Sequence, residues 1–331
     1  MKIKLEKAKK MLTEVLQTSG ANEQDVKTVV EMCLEYDLHK NTFSGFGEVE
    51  GLVEELKNSK NIKIEVVVDS PAMKLIDANG KSAWLVGVEI CEIVSQMAKK
   101  TGVAIVGLYN STYHGILESY TRAIAQNNLV AIVCANGGPQ GVVPFGGAKD
   151  LLGTNPISYA IPTNDLPIVF DGATGKYPYG AIKNAKAKGE ELPAESFLNK
   201  DGEFTTDPNL AISVIAFGEH KGYAINLLLE VLTGSLVRSK MGLESSGSSD
   251  LGSIFIAIDP AFFTPIADFK KATSKLASEI EAIPPMKINS KVHVPGFRGE
   301  IEKQRMIVEG IIEVEEQTWE KFSKLHADLV K

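Results

Sequence analysis

The chain of 331 residues contains no apolar run approaching the ~18 residues that a membrane-spanning helix needs. Its opening, Met1-Lys2-Ile3-Lys4-Leu5-Glu6, puts charges where a secretory leader requires an apolar stretch. No membrane association is expected, and the cytoplasm is the expected compartment. Cysteine is scarce. Cys33, Cys91 and Cys134 form no C-x-x-C pair, are odd in number, and each lie in an apolar run. Buried, reduced thiols are expected. The five histidines include no H-x-x-x-H or H-E-x-x-H spacing and no Cys/His cluster, so no metal is expected. Positive charge is also short, with 35 Lys+Arg against 42 Asp+Glu and a net charge of −7. A pI near 5.4 argues against nucleic acid or an anionic membrane as the main partner.

What remains is an ordinary globular composition, 44% hydrophobic and 23% charged, which excludes a largely disordered chain. Strand and helix patterns alternate, arguing for an α/β or α+β fold. Leu5 to Leu16 repeats apolar residues at helical spacing, and a second helix starts near Asn22, a plausible N-cap. Asp37 to Gly47 reads as a loop. Strands are expected over Ile62–Asp69, Val103–Leu108, Leu129–Cys134, Ile168–Phe170, Ile254–Ile258 and Ile307–Val314. Helices are expected over Leu85–Lys100, Gly115–Gln126, Gly222–Val237 and Ile266–Ala282, near Gly180, and around Trp319 and Phe322. The two ends of the chain are expected to form one mainly helical unit, residues 1–75 plus 295–331. Residues 76–294 then form an α/β unit.

No G-x-G-x-x-G joins a strand to a helix, so a Rossmann dinucleotide site is not supported. Gly172-Ala173-Thr174-Gly175-Lys176-Tyr177 fails as a phosphate loop, because Tyr177 stands where Ser or Thr is required. His220-Lys221-Gly222 opens an apolar helix, where free N–H groups and a lysine charge suit an anion. His114, beside Tyr113, lies between a strand and a helix. There a histidine can serve as a general acid or base. His293 and His326 read as structural.

Several segments, taken in order, resemble the type-2 malate/L-lactate dehydrogenase family, which is distinct from the Rossmann-fold lactate and malate dehydrogenases. They include Ala98–Ala104, Asn110-Ser111-Thr112, Gly153-Thr154-Asn155-Pro156, Asp171-Gly172-Ala173-Thr174, Leu192-Pro193, Thr205–Pro208, His220-Lys221-Gly222-Tyr223 and Pro295-Gly296. The resemblance implies a non-Rossmann sheet domain with a helical domain built from both termini, usually as a homodimer. It implies an NAD- or NADP-dependent oxidoreductase moving a hydride to or from a small carbonyl/hydroxy or imine/amine substrate. It further implies cofactor contacts at Asp171, Ala173, Thr174, His220, Lys221, Gly222, Pro295 and Gly296, and substrate contact at Thr154. Asn155 is expected to help Thr154 orient the substrate.

The departures from the family pattern bear on mechanism. Phe43-Ser44 stands where the family has Ser-His, Glu48 where it has a carboxylate-binding arginine, and Ala181 where the imine reductase has an aspartate. Gly175 replaces a serine. In Asn110-Ser111-Thr112-Tyr113-His114-Gly115 the histidine and the aromatic are transposed. His114 and Tyr113 are therefore the expected proton donors, with His39 as the rival. Ser44 and Glu48 are expected at the substrate, and Glu48 would repel an α-carboxylate or attract a cationic group. The alternative reading is a catalytically inactive relative that binds nucleotide or a partner.

Overall fold

In the computed structural model, which describes residues 1–40, 45–139, 141–245, 247, 249–287 and 290–330, both chain ends build one helical layer. Helix α1 (Leu5–Gln17) buries Ala8, Leu12, Val15 and Leu16, the stripe that its apolar spacing dictates. Helix α2 (Glu23–Leu38) begins at Asn22, whose side-chain oxygen accepts from the Asp25 amide at 2.8 Å. A 3-10 turn, Gly45–Glu48, leads into α3 (Val49–Ser59). From the other end come α9 (Phe297–Glu309), β12 (Ile311–Glu313) and α10 (Glu316–Leu329). Strand β1 (Lys2–Lys4) pairs antiparallel with β12 and ties the two ends together.

The central sheet has seven strands: β2 (Glu65–Asp69), β3 (Met73–Asp77), β4 (Val103–Ser111), β5 (Val130–Ala135), β7 (Ile157–Ile161), β8 (Ile168–Gly172) and β11 (Leu251–Ile258). Their order is β2-β3-β4-β11-β5-β7-β8. Only β3 and β4 run parallel. A Rossmann sheet is mainly parallel and built from successive βαβ units, whereas here β3-α4-β4 is the one such unit in this sheet and the remaining pairings are antiparallel.

Side chains alternate across the sheet. Ala104, Val106, Leu108, Val133 and Phe255 join the main core under α4 (Ala83–Thr101) and α5 (Glu118–Ala125). Their neighbours Ile105, Ile132 and Ile254 join a smaller cluster with Leu229 of α7 (His220–Thr233) on the other face. A second sheet, β6 (Val142–Val143), β10 (Ser213–Ile215) and β9 (Phe197–Leu198), sits over α6 (Gly180–Lys188). Helix α8 (Ile266–Glu281) completes the fold.

Several expected elements move. Ile307–Val314 is not one strand: residues 307–309 complete α9, Gly310 ends it at φ 65, and only Ile311–Glu313 is extended. The short apolar run Ile307-Val308 fits either period, and Val308 is exposed in the helix. The helix expected from Gly115 starts at Glu118, because Gly115 adopts φ 67. The long apolar helix stops at Thr233, and a 3-10 turn follows at Ser235–Val237. Helices α3 and α9 and strand β3 were not read from the sequence. The boundary placed at residue 75 falls within β3, whose hydrogen bonds belong to the large sheet. One continuous core, from Leu12 through Trp84 and Leu108 to Phe322, joins the helical layer to that sheet. Cys33, Cys91 and Cys134 are buried and free. Among the described residues no helix is long and apolar enough to cross a membrane.

Candidate active site

A cavity of about 830 Å³ opens where the helical layer meets the end of the sheet. Helix α6 lines it with Gly180, Lys183, Asn184, Ala187 and Lys188, one face by helical spacing. Helix α10 lines it with Thr318, Lys321, Phe322 and Leu325. Lys188 meets Glu315 at 3.3 Å, joining the two walls. The 3-10 turn contributes Phe46 and Glu48, the segment after β4 contributes Tyr113 and His114, and the end of β8 contributes Asp171, Gly172 and Ala173. Thr154 also faces this space. Ser44 lies outside the described residues.

The segment holding Tyr113 and His114 is rigidly placed. The His114 carbonyl accepts from the Tyr120 hydroxyl at 2.9 Å, and the Ile116 carbonyl accepts from that of Tyr36 at 3.2 Å. At Gly115 a Cβ would stand 2.7 Å from the Tyr36 hydroxyl and 2.9 Å from Trp84, so only glycine fits. His114 is 1% exposed, and neither ring nitrogen has a partner among the described residues. Burial pushes its imidazole down to about 4. Near neutral pH His114 is thus an uncharged N–H donor rather than a cationic acid. Tyr113 is 41% exposed beside it.

His39, the rival, is spent elsewhere. Its Nδ1 lies 2.9 Å from the Glu35 carbonyl and its Nε2 3.2 Å from Glu300 Oε2. Glu300 also takes Arg122 at 3.3 Å, so this cluster pins α2, α5 and α9 together. The hydrogen bond from His39, then Gln304, Lys303 and Arg122, hold the Glu300 carboxyl down to about 2.

Asn155 does not reach the cavity. Fully buried, it accepts from the Gly137 amide at 3.0 Å and donates to Asn226 Oδ1 at 2.7 Å and Glu230 Oε2 at 2.5 Å. Asn226 donates to the Gly153 carbonyl at 2.9 Å and to Thr174 Oγ1 at 2.8 Å, and Thr174 donates to the Thr154 carbonyl at 2.8 Å. This network holds Thr154 against the cavity. Asn155 was expected to orient the substrate with Thr154, and in this structure its whole side-chain amide is engaged by Gly137, Asn226 and Glu230. The side chain of Thr174 is likewise internal.

Asp171 lines the cavity, yet its carboxylate accepts from the Glu118 amide at 2.8 Å at the start of α5. Burial lifts it to about 7. The remaining segments expected at the cofactor converge on the same strand and turn from outside the cavity. The Val169 amide donates to the Pro295 carbonyl at 3.0 Å, and a Cβ on Gly296 would stand 2.9 Å from the Val169 carbonyl. The Phe217 amide donates to the Thr174 carbonyl at 3.0 Å, which brings the start of α7 alongside. Exposed His220 and Lys221 open that helix, and a Cβ on Gly222 would stand 1.8 Å from the Phe217 carbonyl.

Burial, then the nearby charge of Glu55, lift the Glu48 carboxyl to about 7 against the pull of Lys183. Glu55 itself accepts from Thr112 Oγ1 at 2.6 Å. Sequence reading did not single out Lys183, Glu55, Asn226 or Glu230. For the last two a signal existed: polar residues spaced i, i+4 inside an otherwise apolar helix.

A mixed sheet with a helical layer from both termini, closing on a pocket beside a glycine-bearing turn, is the architecture of a non-Rossmann dehydrogenase. The profile of the malate/L-lactate dehydrogenase family matches residues 3–323. A malate/(S)-sulfolactate dehydrogenase of Methanothermus fervidus is 32% identical, covering 99% of this chain and 98% of the relative. The NAD(+)-named ureidoglycolate dehydrogenase of Escherichia coli is 27% identical, with 94% and 92% covered. Among solved structures, sulfolactate dehydrogenase from Methanocaldococcus jannaschii superposes with a TM-score of 0.88 at 29% identity, covering 99% of this chain and 97% of the other. The chain belongs to the malate/L-lactate dehydrogenase family and is an oxidoreductase.

Proposed function

We propose that this chain is a catalytically active NAD- or NADP-dependent dehydrogenase or reductase of a small carbonyl/hydroxy or imine/amine substrate. The observation that carries this is the meeting, in one cavity, of the Asp171–Ala173 turn with Tyr113, His114 and Thr154. A vestigial pocket has no reason to keep a fully buried histidine with two unpartnered nitrogens, since each costs about 1–3 kcal/mol when nothing binds it.

The residues present fit a nicotinamide dinucleotide. Gly172 and Ala173 leave backbone accessible in the cavity, Gly222 lets the start of α7 lie against the Phe217 carbonyl, and Lys221 at the start of that helix suits a phosphate. When bound, that group supplies or accepts the hydride. Tyr113, exposed to the cavity, then offers its phenol to the substrate oxygen or nitrogen, buried neutral His114 fixes the segment behind it, and Thr154 orients the substrate. Glu48 excludes an α-carboxylate from the position an arginine holds in relatives. Lys183, on the α6 wall, offers a replacement site for an anionic substrate group.

A homodimer belongs to this reading. Helix α7 is inverted: Asn226 and Glu230 point inward, while Ile225, Leu227, Leu228 and Val231 are 39–57% exposed. A second copy of the chain covering that face gives it a reason.

Titration with NADH and NADPH, followed by a panel of 2-oxo acids, imines and keto-sugars, tests the proposal. Saturable binding of one dinucleotide is expected. Lys221→Ala should weaken it by about 1.5–3 kcal/mol, roughly ten- to a hundredfold in Kd. Folded protein that binds neither dinucleotide contradicts the proposal, and binding without turnover of any of the panel leaves the inactive-relative reading standing instead.

A further inference from the structure

We infer that Glu48 is the residue that carries the proton of this reaction, with Glu55 behind it as a positioning residue. The inference rests on the dehydrogenase reading above. Its ground is the inventory of acids facing the cavity. His39 has both nitrogens on acceptors of the protein. Asp171 is hydrogen-bonded to the start of α5. His114 is neutral near pH 7, and a phenol such as that of Tyr113, with a free value of about 10, donates a proton but is a poor base near neutrality. Glu48 lines the same space as Tyr113, His114 and Thr154, is half-buried, and has no ion pair among the described residues.

Its setting suits a proton carrier. Glu48 stands at the N-cap position of α3 with no capping bond from its side chain, and Glu55 lies seven residues on, two helical turns, on the same face. Thr112, next to Tyr113, holds Glu55 by its hydroxyl at 2.6 Å. One carboxylate is thus fixed behind the other, and like charges disfavour ionising both. From α6, Lys183 acts in the opposite sense. The other charges around the cavity are engaged or distant in role: Lys40 pairs with Glu302 at 2.8 Å and Lys188 with Glu315, while Glu50 and Lys321 are exposed. The carboxyl that results sits at about 7, where a general acid–base works best in both directions.

In reduction, a hydride forms the new C–H bond at the carbonyl or imine carbon. The π pair moves to the oxygen or nitrogen, and Glu48 passes its proton to that atom. Solvent then reprotonates the carboxylate. In oxidation, the carboxylate takes the proton from the hydroxyl or amine as the hydride leaves carbon.

Carbon-detected NMR of the side-chain carboxyls, read from pH 4 to 9 in the full chain, tests the first half. One glutamate resonance titrating near neutrality and missing from Glu48→Gln is expected. Glu55→Gln should move it to lower pH and Lys183→Met to higher pH. A Glu48 resonance that titrates below pH 5 overturns the inference, whether or not a substrate has been found. Once a substrate turns over, Glu48→Gln should lower kcat ~10²–10⁴-fold and remove the near-neutral break in the pH profile. Its Kd for dinucleotide should stay within about twofold of wild type. Dinucleotide binding and turnover that survive Glu48→Gln unchanged sink the role of Glu48 alone. Absence of dinucleotide binding in wild type sinks the dehydrogenase reading.

Discussion

At the scale of single residues, the site depends on buried amides more than on charges. Asn155 has φ 32, a left-handed conformation that a non-glycine residue keeps only when its surroundings over-determine it. They do so here through Gly137, Asn226 and Glu230. Asn226→Ala removes three hydrogen bonds in the core and leaves the Gly153 carbonyl, the Asn155 amide and Thr174 Oγ1 each short of a partner. A loss of about 1–3 kcal/mol is expected for each group left unsatisfied, read as a lower midpoint in chemical denaturation. Unchanged stability would show that the network does not hold Thr154 in place. The motif Gly153-Thr154-Asn155-Pro156 was legible as a motif, and the work of its asparagine was not. The difference lies in α7, 71 residues further along the chain, which supplies the partner.

Among the elements, α7 carries the clearest prediction. An apolar helix that turns its polar residues inward and its leucines outward contradicts the usual amphipathic pattern for a monomer. Its composition is apolar on nearly every side, so the sequence reveals an apolar helix without saying which face meets the sheet. Leu228→Asp should break the homodimer. Light scattering is expected to give twice 35.8 kDa for wild type and a single chain mass for the variant at micromolar concentration. A wild-type mass equal to one chain contradicts the dimer. In helix α6 likewise nothing local marks Lys183 or Lys188, and only the placement of α10 makes their face a wall of the cavity.

For the whole molecule, buried carboxyls set the pH dependence of stability. Asp37, Glu48 and Asp171 are each raised to about 7, chiefly by burial. A raised acid contributes stability that is fully present below its unfolded value, about 3.8 for Asp and 4.5 for Glu, and lost as pH climbs through about 7. Glu300, lowered to about 2, contributes above about 4.5 and loses its contribution as pH falls toward 2. Both trends favour mildly acidic solution. Tm is expected to be higher at pH 5.5 than at pH 8, and the double variant Asp37→Asn with Asp171→Asn should flatten that slope. Both asparagines retain an oxygen for the Phe46 and Glu118 amides. A wild-type Tm that rises from pH 5.5 to 8 would contradict the assignment.

By itself the sequence determined the class of fold, the helical layer from both termini, and the family, because these rest on local periodicity, caps such as Asn22, and short motifs in order. It also placed His114 and Tyr113 at a strand end, anchored by Asn110, Ser111 and Gly115. Tertiary structure alone decided the surroundings of each candidate side chain. Whether a histidine is charged, whether an asparagine touches substrate, and whether a glutamate carries a proton depend on burial and on partners far away in the chain. His39 is claimed by Glu300, Asn155 by Asn226, and Glu48 is left open beside Glu55. Periodicity is a property of neighbours in sequence, whereas desolvation and pairing belong to neighbours in space.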